Sequence, residues 1–167
     1  MKKIGINKTA LTGIICLLAL IIIAPAAFSA NVNPGDPMPD ISLKLVDGGE
    51  VSIIKAIGMG KGALIFFNTS CNQCQNEIRW ALSTYPEGNI HLIGIDMRGE
   101  RVLKRYKDGP LAKFNAEKMY VDAEFKLPTQ LGLTVTPAIA LVKEGKLVKT
   151  LVGYDDKIKA EVEAFFK

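Results

Sequence analysis

The sequence predicts one α/β domain over residues 40–167, and three observations support this prediction. A strand-like run, a helical pattern and a second strand-like run follow one another over residues 63–96. Because a helix joins the two strands, they are expected to be parallel neighbours. Two further strand-like runs flank Lys143-Glu144-Gly145, which predicts an antiparallel hairpin. An amphipathic pattern over residues 155–166 predicts a closing helix.

The N-terminal part of the domain begins with a second predicted hairpin. Residues 41–45 and 51–53 alternate between apolar and polar side chains, and Asp47-Gly48-Gly49 lies between them. Residues 54–59 are expected to form a short helical turn. The unbroken apolar run over residues 63–67 predicts a strand that is buried on both faces.

The remaining elements follow from periodicity and from proline. Pro128 interrupts the pattern over residues 123–131, which we expect to be helical only in part. The other predictions, in chain order, are a helix over 71–85, strands over 90–96 and 118–121 with a helix over 100–106 between them, and hairpin strands over 138–142 and 146–152.

A Cys-x-x-Cys motif, Cys71 to Cys74, falls where the strand over residues 63–67 gives way to the following helix. Ser70 and Gln73 have the spacing of a capping box, which predicts Ser70 as the N-cap and Cys71 as the first helical residue. Unpaired N–H groups and the helix dipole there favour the Cys71 thiolate, the form that attacks disulfides. Cys74 lies one turn deeper, close enough to bond to Cys71.

A structural disulfide and a zinc site are the alternative interpretations of this motif. A disulfide with this spacing closes almost no loop, so it adds little stability by that route. Zinc needs about four ligands, whereas the chain offers the motif, Cys16 in the N-terminal apolar segment and His91. The motif therefore favours a redox-active pair, and the sequence predicts no metal and no cofactor.

Charge is concentrated at the N-terminus. The 167-residue chain has a formal net charge of +4 and is 49% hydrophobic, which suits one globular domain. Residues 1–30 contain three lysines and no acid, which leaves 18 basic and 17 acidic residues in the rest. A near-neutral domain gives no reason to expect nucleic-acid binding.

Residues 1–29 have the pattern of an export signal, with a basic start and an uncharged apolar stretch. Ala27-Phe28-Ser29 is a small-x-small pattern that predicts cleavage before Ala30, and a retained membrane anchor is the alternative. Residues 30–39 are a linker rich in Pro and Gly. In either case the domain is expected outside the cytoplasm, in the periplasm or anchored to the outer face of the inner membrane, and it contacts the membrane only if the segment is retained.

The order of elements, with Cys-x-x-Cys at a helix start, resembles the thioredoxin fold. Residues 34–43 and 47–52 resemble the N-terminal hairpin of the TlpA/ResA-like branch of the AhpC/TSA-like redoxins, which are exported, membrane-linked thiol–disulfide oxidoreductases. Residues 99–122 resemble the central insertion of that branch, and residues 132–138 resemble its cis-proline loop. The resemblance covers residues 34–167 and implies a thioredoxin-like fold with an added N-terminal β-hairpin and a central insertion.

The resemblance also implies roles for individual residues. Pro137 would be cis and pack against the cysteine pair, and the backbone of Thr136 would pair with an extended substrate; an ordinary strand-start proline is the alternative. Glu77 matches an acidic residue of the branch and would shuttle a proton for a thiol; a solvated helix residue is the alternative. The implied partners are substrate proteins with disulfides or thiols, including c-type cytochrome apoproteins, and a membrane electron-transfer protein as donor.

The sequence departs from the family pattern at several positions. Ser70 replaces the common Trp before the first Cys, and Ile65 stands where thioredoxins carry a buried Asp. Arg79 replaces a helix-kinking Pro, and Asn72-Gln73 separates the cysteines. The reduction potential and the direction of electron flow therefore do not follow from the resemblance, although it favours a reductant.

Three other functions are alternatives to the oxidoreductase. A peroxiredoxin would need Pro-x-x-x-Thr-x-x-Cys, and Asn68 occupies the Thr position. A copper carrier of the Sco type would need Cys-x-x-x-Cys and a later His. A redox-inactive binding domain with the same fold is the third alternative.

Three features outside the motif have mainly structural interpretations. The single histidine, His91, is expected to be structural or at the surface, and Trp80 is expected to be partly buried. A basic cluster on the inserted helix is expected to be a solvated face, with docking of an acidic partner as the alternative. The cluster consists of Arg98, Arg101, Lys104, Arg105 and Lys107.

Overall fold

The computed structural model describes residues 31–167. The predicted signal peptide or anchor over residues 1–29, and Cys16 within it, lie outside the described residues. Between residues 31 and 167, no helix is both long and apolar enough to cross a membrane.

Within residues 31–167, seven strands form one mixed sheet, and both predicted hairpins are confirmed in it. The strands are β1 (Ser42–Leu45), β2 (Glu50–Ser52), β3 (Lys61–Phe67), β4 (Ile90–Gly94), β5 (Met119–Val121), β6 (Ala138–Lys143) and β7 (Lys146–Val152). Their spatial order is β2-β1-β5-β4-β3-β6-β7. The central strand β3 pairs parallel with β4, as predicted, and antiparallel with β6.

Among residues 31–167, four α-helices and one short 3₁₀ turn lie between strands, and a fifth α-helix follows the last strand. They are α1 (Ile53–Ile57), α2 (Asn72–Thr84), α3 (Glu100–Asp108), the 3₁₀ turn (Ala116–Lys118), α4 (Lys126–Gln130) and α5 (Asp156–Phe166). Helix α4 has only five residues, which agrees with the partial helix predicted around Pro128. Pro128 lies in its first turn, where backbone N–H groups have no intrahelical partner.

Two element boundaries differ from the sequence prediction. Ile53, predicted as the end of a strand, begins α1, because the Ser52 side chain caps that helix by accepting from the Lys55 N–H. The predicted strand over residues 90–96 ends at Gly94. Asp96 instead begins a turn, in which its carboxylate accepts from the Arg98 backbone N–H and its carbonyl from the Gly99 N–H.

The core lies on both faces of the sheet, which explains why β3 is apolar without interruption. Alternate residues such as Ile65 and Phe67 pack on the side of α2 and α5, in one cluster with Ile78. Leu64 and Phe66 point the other way and belong to a second cluster with residues of α1 and α4. Every residue from Gly62 to Phe67 is buried as a result.

One edge of the sheet brings three loops together. Phe67 at the end of β3 lies beside Gly94 at the end of the parallel strand β4, so the loops that follow both strands leave from the same edge. The antiparallel strand β6 begins there, with Ala138 opposite Phe66. The cysteine motif, the loop after Gly94 and the loop before Ala138 therefore converge.

Candidate active site

The cysteine motif lies at the start of α2, and its two sulfurs form a disulfide. The Cα atoms of Cys71 and Cys74 are 5.2 Å apart. Cys71 is partly exposed at the protein surface, whereas Cys74 is fully buried. An incoming thiol or disulfide can therefore reach Cys71 and not Cys74.

The N-cap of α2 is Cys71, so the prediction that Ser70 caps this helix is wrong. Cys71 has an extended backbone, and its Sγ accepts a hydrogen bond from the Cys74 N–H at 3.1 Å. The Ser70 hydroxyl instead accepts from Arg98 at 2.7 Å, a partner that lies 28 residues away in the sequence. The shift by one residue places the Cys71 sulfur directly at the N-terminus of the helix.

This position favours the thiolate form of Cys71 once the disulfide is reduced. The first turn of α2 contains no acidic side chain, so no fixed carboxylate there offsets the positive end of the helix dipole. The Cys74 N–H points at the sulfur and would donate to a thiolate more strongly than to a thiol. Cys71 therefore lies at the helix N-terminus, as predicted, although the capping residue differs.

Glu77 is fully buried on the inner face of α2, one turn after Cys74. Within residues 31–167, neither of its carboxyl oxygens has a hydrogen-bond partner. Burial raises the pKa of Glu77 from 4.5 to about 8, because the charged form loses its hydration without gaining a partner. The alternative of a solvated helix residue is wrong, and Glu77 is a neutral acid over most of the pH range below 8.

A sequence signal for this burial was available. The buried positions of α2 are Cys74, Glu77, Ile78 and Ala81, which have the i, i+3, i+4, i+7 spacing of a helix face that packs on a core. Glu77 thus interrupts an apolar stripe, and that position favours burial over solvation.

The loop before β6 contributes Thr136 and Pro137. The Thr136–Pro137 peptide bond is cis. Pro137 is buried, and its carbonyl accepts from the Gly153 N–H at 2.9 Å. Thr136 is half-buried and lies outside the ladder of β6, which begins at Ala138, and Val135 beside it is 55% exposed.

The loop after β4 adds an ionic network that the sequence analysis missed. The Arg98 guanidinium donates to both carboxylate oxygens of Asp96, at 2.9 and 2.7 Å, and to the hydroxyls of Thr69 and Ser70, both at 2.7 Å. Thr69 in turn donates to Asp96 at 2.6 Å. Arg98 holds the pKa of the buried Asp96 well below its usual range, so this carboxylate is ionised at neutral pH.

The predicted basic cluster does not form one continuous face. Arg98 precedes α3 and belongs to the network beside Cys71. Lys104 pairs with Asp47 at 2.6 Å and with Asp108 at 3.8 Å, and Lys107 is buried, whereas Arg101 and Arg105 are exposed. Neighbouring acids therefore neutralise part of the charge that the sequence pattern grouped together.

His91 is buried at the start of β4, at the far end of that strand from the cysteine motif. Its ring nitrogens lie 2.9 Å from the Tyr120 hydroxyl and 2.8 Å from the Asn89 side-chain oxygen. Burial and the nearby Lys118 lower the pKa of His91 to about 4, so the ring is neutral at physiological pH. These contacts make His91 a structural residue, which was one of the two expectations for it. Trp80 is partly buried, as predicted.

The described residues offer no candidate metal site, and their main cavity lies away from the cysteine motif. Among residues 31–167, no group of three or more His, Cys, Asp and Glu side chains could hold a metal ion. A cavity of about 680 Å³ lies between the end of α2 and residues 109–118, with Tyr85 and Ile90 in its wall. Ile90 begins β4, so this cavity is at the opposite edge of the sheet from Cys71.

No protein-family model matches the chain, and no curated protein does. The thioredoxin domain of a thiol-disulfide oxidoreductase from Bacteroides vulgatus matches its structure with a TM-score of 0.63, at 21% identity over 82% of this chain and 100% of that one. A thiol:disulfide interchange protein from Bacteroides sp. gives a TM-score of 0.62, at 20% identity over 80% of this chain and 90% of that one. The fold is thioredoxin-like.

A third structure, the exposed lipoprotein thioredoxin of Streptococcus pneumoniae, gives a TM-score of 0.58 at 22% identity, over 77% of this chain and 98% of that one. These matches confirm the fold class predicted from the sequence. The predicted N-terminal hairpin is β1–β2, and the segment expected as an insertion contains α3, the 3₁₀ turn and β5. At these identities the likeness establishes the fold, and the activity depends on the side chains at the edge of the sheet.

Proposed function

We propose that the protein is an exported thiol–disulfide oxidoreductase that exchanges its Cys71–Cys74 dithiol and disulfide with those of substrate proteins. The observation that supports this most directly is the unequal pair of cysteines at a helix N-terminus. Cys71 is partly exposed at the N-terminus of α2, where its sulfur accepts from the Cys74 N–H, whereas Cys74 is buried and bonded to it in the disulfide. One accessible nucleophile and one shielded resolving thiol are the two parts that thiol–disulfide exchange requires.

In the reducing direction, the Cys71 thiolate attacks one sulfur of a substrate disulfide. The substrate S–S bond breaks, a mixed disulfide forms at Cys71, and the second substrate sulfur leaves as a thiolate and takes up a proton. Cys74 then loses its proton and attacks Cys71, which releases the first substrate sulfur as a second thiolate that is protonated in turn. Two electrons and two protons pass from the protein dithiol to the substrate.

Glu77 is proposed as the acid–base group for Cys74. Cys74 is buried, so its proton needs a nearby acceptor when it becomes the attacking thiol. Glu77 lies one turn further along α2, and with a pKa of about 8 its minor ionised fraction at neutral pH can accept the Cys74 proton and later return it. A carboxylate with an ordinary pKa would be ionised permanently and would oppose formation of the Cys74 thiolate.

Thr136 and Pro137 are proposed as the binding site for an extended substrate segment. Proline has no backbone N–H, and Thr136 lies just before the strand that pairs with β3. The N–H and C=O groups of Thr136 lie outside the ladder of β6 and would be free to pair with a peptide laid across the cysteine motif. The exposed Val135 would add an apolar contact to that peptide.

A reductant role in the TlpA/ResA-like branch is the proposed direction of electron flow. The resemblance of the hairpin, insertion and proline loop to that branch supports it, and c-type cytochrome apoproteins are the proposed substrate class. A membrane electron-transfer protein would then re-reduce the Cys71–Cys74 disulfide. The periplasm, or the outer face of the inner membrane, is the proposed location, and the signal-like pattern of residues 1–29 supports it.

Trapping of mixed disulfides tests the proposal. The reduced Cys74→Ser variant should retain a glutathione adduct after exposure to oxidised glutathione, whereas reduced Cys71→Ser should not, because Cys74 is buried. Mass spectrometry detects the adduct. An adduct on Cys71→Ser alone would reverse the roles, and no adduct on either variant would refute the exchange activity.

Equilibration of the wild-type protein with glutathione buffers then gives the direction. A reduction potential of about −270 mV or below would support the reductant role, and one of about −120 mV would indicate an oxidant. Rapid peroxide turnover without exchange would favour the peroxiredoxin alternative instead.

A further inference from the structure

Arg98 connects the loop after β4 to the two residues that precede the cysteine motif. Its Nη2 lies 2.7 Å from the hydroxyl oxygen of Ser70 and 2.7 Å from that of Thr69. Ser70 is the immediate neighbour of Cys71 in the chain, and its own backbone N–H donates to the Asn68 side chain at 2.9 Å. The short turn between β3 and α2 is thus held from its outer side by one guanidinium group.

Asp96 fixes the orientation of that guanidinium. The Asp96 side chain is only 2% exposed, whereas that of Arg98 is 54% exposed. Asp96 accepts from the Arg98 backbone N–H at 3.0 Å and from two of its guanidinium nitrogens, Nε and Nη2. A buried carboxylate with a two-point contact leaves a guanidinium little freedom to rotate.

We propose that Arg98 is a positioning residue for thiol–disulfide exchange, which fixes the turn before Cys71 and holds a positive charge beside the Cys71 thiolate. This inference rests on the proposed function. It also gives a role to Ser70, since a hydroxyl at this position supplies the acceptor that ties Arg98 to the turn.

The charges around Cys71 determine the direction of the effect. Arg98 and the N-terminus of α2 are the positive groups, and both stabilise a thiolate. Asp96 is the nearby negative group, and Arg98 neutralises it. Glu77 is buried further along α2 and is mostly uncharged at pH 7, because its pKa is about 8, and residues 132–137 contain no charged side chain.

Loss of Arg98 would therefore act twice on Cys71. It would remove the positive charge and would leave the Asp96 carboxylate without its counter-ion on the same side of the site. Both changes disfavour the Cys71 thiolate, so they raise the pKa of this thiol and make its sulfur a weaker leaving group from the disulfide. The dithiol becomes a stronger reductant as a result.

The test measures the pKa of Cys71 from the pH dependence of its alkylation by iodoacetamide. The full chain is used in its reduced Cys16→Ser, Cys74→Ser form, where Cys71 is the one remaining thiol. Arg98→Gln in this background is expected to raise the pKa of Cys71 by about one. Arg101→Gln removes the same charge from an exposed position on α3 and serves as the matched control, with an unchanged pKa.

A second variant keeps the ion pair and removes only the contact with the turn. Thr69→Val combined with Ser70→Ala leaves Arg98 on Asp96, and it is expected to raise the pKa of Cys71 by less than Arg98→Gln does. This variant also carries the test if Arg98→Gln does not fold. A merely structural role would lower the melting temperature of these variants and leave the pKa of Cys71 unchanged.

Separate readouts distinguish failure of the inference from failure of the proposed function. If wild-type protein exchanges with glutathione but Arg98→Gln and Arg101→Gln give the same pKa for Cys71, the positioning role is wrong and the oxidoreductase stands. If wild-type protein does not exchange, the proposed function is wrong, whatever the pKa. With both Cys residues present, Arg98→Gln should shift the equilibrium with glutathione by up to about tenfold toward the protein disulfide.

Discussion

Replacement of Glu77 by Gln is expected to remove a pH-dependent loss of stability from the wild-type fold. Glu77 is fully buried, and neither carboxyl oxygen has a partner among residues 31–167. Its pKa is about 8 in the folded protein, against 4.5 for an unperturbed group. Between these two values the folded state holds a proton that the unfolded chain has released.

The sign and size of the effect follow from this difference in bound protons. Because the folded state binds more protons from pH 4.5 to pH 8, the free energy of unfolding falls as pH rises, by about 1.4 kcal/mol per pH unit. This loss of stability is absent below pH 4.5 and complete above pH 8, where it reaches about 5 kcal/mol. Gln has nearly the same shape and does not ionise, so Glu77→Gln should lack this slope.

Urea unfolding at a series of pH values measures the difference. The oxidised protein is used, so that the Cys71 and Cys74 thiols do not titrate, and unfolding is followed by circular dichroism. The free energy of unfolding of Glu77→Gln minus that of the wild type should grow from near zero at acidic pH to about 5 kcal/mol in mild alkali. Glu87→Gln removes an exposed carboxyl and is the matched control, with no such growth.

Parallel stability curves for Glu77→Gln and the wild type would refute this reasoning. They would mean that Glu77 ionises in the folded protein as readily as in the unfolded chain, and so has solvent or a cationic partner. The proposed acid–base role near neutral pH would then lose its physical basis, because an ionised carboxylate would oppose the Cys74 thiolate.

Two further substitutions test other parts of the fold. The wild type should lose about 3 kcal/mol of stability as pH falls from 6.5 to 4, because the unfolded chain binds a proton there that the buried His91 ring does not. His91→Gln should lack this loss. Urea unfolding of the oxidised variant over this pH range checks the prediction, and a slope equal to that of the wild type would contradict it. Gly94→Ala should destabilise the protein by about 1–3 kcal/mol, because a Cβ at this position in β4 would overlap the buried side chain of Leu103. Gly60→Ala, where a Cβ has no neighbour within 4 Å, is the control in thermal unfolding, and equal melting temperatures for the two variants would refute the overlap.

Sequence periodicity predicted the fold well because the sheet is buried on both faces. The unbroken apolar run before Cys71 predicted a strand buried on both faces, and the alternating residues around Asp47-Gly48-Gly49 predicted the half-exposed strands β1 and β2. The Cys-x-x-Cys motif was assigned for a local reason, since its position between a strand and a helix was visible in the sequence.

The parts of the site that sequence patterns missed depend on contacts between distant segments. Ser70 satisfies the local rule for an N-cap, but Arg98 takes its hydroxyl, and only the convergence of the ends of β3 and β4 makes that contact possible. Asp96 was predicted as the end of a strand, because its contact with Thr69 at the end of β3 is likewise not visible in the sequence. A single sequence does not show which charged residue will be close to a given hydroxyl.

The two cysteines of the motif lie in opposite electrostatic environments, and this asymmetry links stability to the proposed chemistry. Cys71 lies at the helix N-terminus, next to the Ser70 hydroxyl that Arg98 binds, and this position favours its thiolate, whereas Cys74 is buried on the same helix face as Glu77. Resolution of a mixed disulfide needs Cys74 to lose its proton inside the protein. The ionised fraction of a buried carboxyl with a raised pKa takes up such a proton more readily than an ordinary carboxylate does. The same burial makes the fold less stable as pH rises. A salt bridge to Glu77 would remove that loss of stability, but it would also lower the pKa of the carboxyl and keep it ionised. On the proposed function, the unpaired acid is retained because exchange near neutral pH requires it.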